Sequence, residues 1–459
     1  MYTLSSKLKL TAIIFMIVGA IGIVIGFLQA PSNLDDVREM MAAEEHHGET
    51  ALEKEGEDDN FAYAEHSLLL DDEAGRNAES KEDAAAEQGH DTEHLEHKFH
   101  QLQNKPWAAV YVAAFFFFMI SLGVLAFYAV QYASQAGWSP VLFRVMEAIT
   151  AYIVPGGIIM FVLLVLSSMH LNHLFVWMDP EVVATDEIIR NKTAYLNIPF
   201  FLIRAAIFLA GWFIFRHFLV RNSRRLDQAT DNYYFKKNFK LAAGFLVFFI
   251  VTESIMSWDW IMSLDPHWFS TLFGWYVFSS MFVSGITVIA LVTIYLKSRD
   301  HLPFVNNSHI HDLAKFMFGI SIFWTYLWFS QFMLIWYSNI PEEVVYFISR
   351  IENYSLPFFG MVVLNFVFPL LVLMNSDYKR VNWFVVMTGV IILVGHYLDV
   401  FTMVMPSTVG ESWFIGIPEI SAVLFFGGLF TFVVFNALTK APLLAKRNPY
   451  IKESEHFHY

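Results

Sequence analysis

Ten stretches of 18 or more mostly apolar residues recur along this chain, and no other feature restricts its fold so tightly. They run roughly over 11–28, 107–131, 142–167, 198–219, 240–262, 273–296, 312–337, 354–374, 383–405 and 415–438. Each is long enough to cross about 30 Å of hydrocarbon as a helix. Lipid offers no partner to a free peptide group, so a run of this kind has to close its hydrogen bonds within itself. An all-α polytopic membrane protein follows. Composition agrees, with 56% hydrophobic and only 16% charged residues.

Charge is distributed unevenly. Residues 31–106 hold 22 acidic against six basic residues, a net of −16, whereas the whole chain carries −14. The acidity therefore belongs to one insert, and nothing suggests a nucleic-acid partner. Elsewhere Lys and Arg alternate between faces: 18 fall on the segments shared with the two termini, and only Arg190, Lys192 and Arg350 on the opposite short loops. The positive-inside rule places both termini in the cytoplasm and the acidic insert outside.

Lys7 and Lys9 before an apolar run resemble a signal peptide. Pro31 after the would-be cleavage site and the length of the run favour an uncleaved anchor over 1–30. Gly22 and Gly26 there make a small-xxx-small face suited to close helix contact. The insert 31–106 reads as a helical or disordered extramembrane segment that docks partners. Its histidines (His46, His47, His66, His90, His94, His97, His100) lack a firm ligand spacing, and no metal site is expected.

Cysteine is absent. That excludes Cys-ligated iron–sulfur clusters and covalent haem within this chain. His396 is the only histidine well inside an apolar run, so a haem held between two histidines is not expected either.

Polar groups inside the apolar runs are the candidate site. Glu253 and His396 each lie thirteen residues into a run, and Asp399 follows His396 by three, on the same helical face. At about 1.5 Å per residue that is roughly 20 Å from the inner interface. Two readings stand: a proton relay or quinone-hydroxyl partner, and a structural hydrogen bond between helices using Ser257, Thr252 or Asn365. Pro155-Gly156-Gly157 predicts a kink that either frames a cavity or eases packing.

A second polar group lies near the outer surface. It comprises His170, His173 and Asp179, with Asp259, Asp265 and His267, flanked by Trp258, Trp260, Trp268 and Trp275 as an interfacial belt. Histidine beside carboxylate can take and pass a proton near neutral pH. Ordinary polar decoration of a membrane boundary is the other reading. Arg204 either pairs with a carboxylate near the outer surface or snorkels to the headgroups, and snorkelling is the expectation; Arg144 with Glu147 is expected to form a local ion pair or a proton entrance.

Two longer segments carry a family likeness. One is Tyr326-Leu-Trp-Phe-Ser-Gln-Phe-Met-Leu-Ile-Trp-Tyr-Ser-Asn-Ile-Pro-Glu-Glu343, which includes Gln331. The other is Glu253-Ser-Ile-Met-Ser-Trp-Asp-Trp-Ile-Met-Ser-Leu-Asp-Pro-His-Trp268. With the ten-helix layout, they resemble the ten-helix membrane subunits of alternative complex III, a bacterial quinol:cytochrome c (or oxidase) oxidoreductase, and more the F-type than the C-type subunit. Those are similar to the NrfD-like, polysulfide-reductase membrane anchors. The resemblance implies two four-helix bundles, over 107–262 and 263–405, flanked by the anchor 1–30 and a last helix and tail, 406–459.

It also implies a respiratory membrane subunit in the bacterial inner membrane, contributing a quinone-facing pocket or a transmembrane proton path. Its partners would be a related ten-helix subunit, a multihaem cytochrome c and an iron–sulfur protein, with membrane lipids around them. Haem c and iron–sulfur clusters would sit in those partners, and quinol (menaquinol or ubiquinol) would be a possible contact here. The competing classes are a secondary transporter, for which a broken helix is the usual mark, and a scaffold without chemistry. The proton path, if present, would run through Glu253, His396 and Asp399 and reach the outside by Asp259, His267 or His170.

Overall fold

The computed structural model describes residues 2–38 and 79–458, and among these all regular structure is helical. Ten helices are long and apolar enough to cross a membrane. They are α1 Ser6–Leu28, α2 Glu79–Ala133, α3 Pro140–Ser168, α4 Ile198–Leu226, α5 Tyr233–Trp260, α6 Phe273–Ser298, α7 Asn307–Ser338, α8 Ser355–Leu373, α9 Asn382–Val409 and α10 Ile417–Leu438. Helix α2 starts at Glu79, so the part of the acidic insert from that residue onward is helical and continuous with the second span. Residues 39–78 lie outside the described residues, as do the side chains of His90, His94 and His97, so the metal reading of those histidines and of His46, His47 and His66 meets no structure there.

Local sequence accounts for where the helices begin and end. Asn197 caps α4 by accepting from the Phe200 amide, with Pro199 in the first turn, where its missing N–H costs nothing. Asn306 caps α7 through the amides of Ser308 and His309, and its own amide donates to His309 Nδ1. Helix α7 closes at Asn339, which is left-handed at φ +48°, and Pro341 opens a short amphipathic helix, Pro341–Glu352.

Irregular turns follow the prolines. The 3₁₀ turn Thr150–Tyr152 in α3 includes Ala151, whose carbonyl would have accepted from the missing N–H of Pro155. The helix is then unbroken from Ile153 to Ser168, and a Cβ on Gly157 would meet Leu209 and Phe213 at 2.8 Å. Gly157 thus serves packing on α4, whereas Gly156 lies against the Tyr152 ring of its own helix. In α8 the π turn Val363–Val367 directly precedes Phe368-Pro369 and widens the backbone where proline cannot donate.

Helices α2–α5 form one bundle and α6–α9 a second, and they meet along α2 and α6, the two most enclosed spans, with α9 also packed on α2 and α5 on α6. At Gly123 and Gly285 the backbones come so close that a Cβ on Gly123 would lie 2.3 Å from the Met281 carbonyl oxygen. Helix α10 packs on α2 and α3, and α1 packs on α10. The glycine face of α1 makes that last contact: Gly19, Gly22 and Gly26 sit against Phe425, Ser421 and Pro418. Its other side, with Leu10, Ile17 and Val24, is exposed as a lipid-facing surface should be.

The two termini share one face. Tyr2 packs edge-on to His301 of the α6–α7 loop at 5.1 Å. The carboxyl tail knits three loops together: Ser454 donates to the Trp138 carbonyl at 2.6 Å, Arg447 to Thr230 at 2.9 Å, and Asn306 to Phe457 at 2.6 Å.

Candidate functional site: buried ionisable groups in the two bundles

In the second bundle His396 and Asp399 have no exposure at all. Both carboxylate oxygens of Asp399 accept: Oδ1 from the Tyr276 hydroxyl of α6, and Oδ2 from Trp324 Nε1 of α7 at 2.9 Å. His396 Nδ1 lies 3.4 Å from Asp399 Oδ2 and 2.9 Å from the Ser280 hydroxyl. A carboxylate only accepts, so we assign the hydrogen of a neutral imidazole to Nδ1. Nε2 then presents a lone pair, and it is buried without a hydrogen-bond partner. The Trp324 indole stands edge-on to the imidazole at 5.3 Å, which fixes the ring.

The π turn of α8 brings Asn365 to the same region. A Cβ on Gly395 would fall 2.1 Å from Asn365 Oδ1, and both polar atoms of that amide are buried without partners. Gln331, deep in α7, likewise has its Nε2 unpaired.

Arg350 closes this bundle at the end opposite the termini. The sequence shows it as one of three basic residues on outer loops, but it is 2% exposed, tucked beneath the helix Pro341–Glu352. Its guanidinium lies 3.4 Å from the centre of the Tyr346 ring, which stacks on Trp268 at 3.8 Å. Nε donates to the Thr402 carbonyl at 3.0 Å, one helical turn beyond Asp399. Burial raises the Tyr346 hydroxyl above its ordinary value, and the Arg350 charge acts against that shift. Tyr276, Trp324, Ser280 and Arg350 did not stand out in the sequence. The alternation of apolar positions with Tyr346, Phe347 and Arg350 after Pro341 was the available signal.

In the first bundle Glu253 is buried on α5 with Oε1 unpartnered. The neighbours expected to hold it are occupied otherwise: Thr252 accepts from Trp212 Nε1 at 3.0 Å, and Ser257 donates to the Ser254 carbonyl at 2.7 Å. Toward the end opposite the termini, Asp259 forms a two-pronged pair with Arg204, at 2.6 Å to Nε and 3.0 Å to Nη2, and accepts from the Tyr195 hydroxyl at 2.8 Å. Arg204 is 6% exposed and lies against the rings of Tyr195 and Phe200. It does not snorkel. A buried carboxylate within reach outweighs the headgroups, because pairing satisfies two groups at once. At the end nearer the termini Glu147 is buried and accepts from Arg144 (2.6 Å), Tyr128 (2.9 Å) and Ser223 (2.5 Å), while Arg144 also holds Asp227 at 2.5 Å.

The histidines at the face opposite the termini are dispersed. His170, left-handed at φ +58°, is exposed on the rim of a cavity of about 270 Å³ that His100, His173 and Asp179 also line. The His100 and His173 rings are 4.3 Å apart, and burial, then the neighbouring His100, lowers the affinity of His173 for a proton. His267 pairs with Asp186 at 2.5 Å on the surface. Asp186 also accepts from the Ile188 and Ile189 amides, and the bond from Ile189, more than His267, holds it below the usual carboxylate range. Trp260 and Trp268 are buried rather than interfacial: Trp260 packs on Phe118 and Trp212.

The residues singled out from the sequence thus fall into separate clusters. His396 and Asp399 form one, Glu253 lies apart from them on α5, Asp259 belongs to Arg204, and His170 and His267 lie apart at the face opposite the termini. Among the described residues no group of three or more His, Asp or Glu is arranged to hold a metal ion. Neither a scan of protein-family models nor a search among curated proteins returns a match to this chain.

Proposed function

We propose that this chain is an integral subunit of a quinol-oxidising respiratory complex of a bacterial inner membrane, with cytoplasmic termini, and that its second bundle handles protons rather than quinol itself. One observation supports this most: an ionisable pair, His396 with Asp399, sealed inside a span with Nε2 of the imidazole left without a partner. Keeping a charged group at a helix centre costs roughly 2.5–3.5 kcal/mol. The pair is held by Tyr276, Trp324 and Ser280 in the orientation a base needs. A proton taken at Nε2 makes an imidazolium that Asp399 stabilises through Nδ1, and the same geometry returns it.

Zero exposure admits a proton or a water chain but not a quinone ring, and the outer cavity is lined by neither His396 nor Asp399. Quinol contact and the redox centres, haem c and iron–sulfur clusters, are assigned in this reading to partner subunits. A transporter reading draws less support, since α3 is continuous through the Pro155-Gly156-Gly157 run.

The test begins with the complex that copurifies with this chain and its haem spectrum. His396→Phe and Asp399→Asn are then compared with the parent for quinol turnover and protons released per quinol. A severalfold fall in either, in an intact complex, is expected. Unchanged turnover and stoichiometry in both variants would leave a scaffold, and solute uptake by the isolated chain would replace the reading with transport.

A further inference from the structure

On the face that carries the termini, an open cleft of about 830 Å³ lies between the ends of α3, α4 and α10. Its walls hold Arg216, Arg221, Arg224 and Arg225 from the last turns of α4, and Lys440 just beyond α10. No carboxylate is among its lining residues. Asp227, the nearest acid along the chain, is committed to Arg144 at 2.5 Å. Among the described residues, none of the five cations takes part in an ion pair. Arg216 reaches only Thr150, at 3.4 Å, and Arg224 Nε is buried with no hydrogen-bond partner.

The cleft is apolar below its charged mouth. Val154 of α3 and Phe432 and Val433 of α10 line it. From Val154 the surface of α3 continues toward the membrane middle as Ile158 and Val162, a stripe at spacing four in which both side chains are exposed. Charged fork above, apolar track beside it: this is the profile of a phospholipid, with phosphate at the arginines and acyl chains along α3.

We propose that the cleft is a headgroup site for an anionic glycerophospholipid, and that it fits one bearing two phosphates. Guanidinium binds phosphate oxygens in pairs, and a basic pocket between membrane helices is suited to such headgroups. Five cations gathered in one concavity repel each other, and a single phosphodiester cancels one of them. Two phosphates cancel two. Positive residues that merely orient a membrane protein need no shared concavity; Lys236 and Lys237, exposed on the same face, illustrate that kind.

The test uses the full chain in its complex, placed in nanodiscs of phosphatidylethanolamine containing a small fraction of diphosphatidylglycerol. Parallel arms replace that lipid with phosphatidylglycerol, or add inorganic phosphate to the buffer. Native mass spectrometry reads which lipid stays bound on release. The parent should retain diphosphatidylglycerol over phosphatidylethanolamine, and Arg221→Gln with Arg224→Gln should lower that retention by roughly tenfold or more. Lys236→Gln with Lys237→Gln, which removes the same formal charge from the same face, should leave it unchanged. Should the arginine pair disturb assembly, Arg225→Gln with Lys440→Gln gives the same comparison at exposed positions. Equal loss in the control pair would overturn the site, as would no preference over phosphatidylethanolamine. Displacement of the lipid by inorganic phosphate alone would overturn the lipid assignment in favour of a phosphate-ion site.

Discussion

Arg350 donates from Nε to the carbonyl oxygen of Thr402 at 3.0 Å, and it does so because Pro406 cannot. Four residues on, a proline inside α9 has no N–H to offer, so the Thr402 carbonyl is left without its helical donor. The guanidinium of a different helix replaces it. One proline therefore fixes where a buried cation sits, one turn from the His396–Asp399 pair.

Arg350→Leu should destabilise the protein by about 1–3 kcal/mol through the orphaned carbonyl alone, plus the lost stacking on Tyr346. Lysine at this position should recover only part, since an ammonium cannot both stack and donate in the plane. Adding Pro406→Ala returns an N–H to Thr402 and should shrink the penalty. Thermal melts in detergent decide it: an equal penalty with and without Pro406 would break the link.

Arg204→Met should cost roughly 3–5 kcal/mol, because Asp259 would be stranded as a buried charge. The double change Arg204→Met with Asp259→Leu should regain most of that loss. If the double variant melts no higher than the single one, the pair is not what holds α4 and α5 together at the end opposite the termini.

Glu253→Leu should raise stability by about 1–3 kcal/mol, since it removes a buried oxygen that finds no partner. Glu253→Gln should assemble normally and change stability little. If turnover of the complex survives both, Glu253 has no part in proton handling. A gain in stability accompanied by a fall in turnover would mark it as a group retained against the interest of the fold.

The cavity lined by His100, His170 and His173 should loosen in acid. His173 holds its proton less tightly in the folded chain than the ordinary value of 6.5, chiefly through burial and then through His100, with His170 acting the same way and Asp179 opposing. The unfolded state therefore binds more protons as pH falls below about 6.5. Stability from this group is complete above that value and is lost toward the lower folded value. Protection from hydrogen exchange at residues 172–179, measured against the intrinsic rate at each pH, should fall between neutral pH and the acid side of this window, and His173→Asn should flatten the response.

The spans were legible because hydrocarbon leaves the backbone no alternative: each long apolar run became one helix, and the glycine face of α1 found a partner. Pairing between helices was not legible in the same way. Arg204 looked like a headgroup anchor and Arg350 like a loop cation, yet each is buried, since one sequence does not say which carboxylate, carbonyl or ring a neighbouring helix brings alongside. His396 and Asp399 could be placed together by their spacing of three. Tyr276, Trp324 and Ser280, which complete the cluster, come from helices up to 123 residues away in sequence.

The contact between α1 and α10 has a consequence for biosynthesis. Gly22 and Ser421 lie about 400 residues apart, so at roughly 5–20 residues per second the first helix waits some 20–80 s for its partner to be made. Throughout that time its glycine groove faces lipid or another protein's helix. Nascent chains halted before α10 should therefore be the form in which α1 is open to capture, by an insertion chaperone or by a neighbouring subunit, and completion of the last helix is the event that ends it.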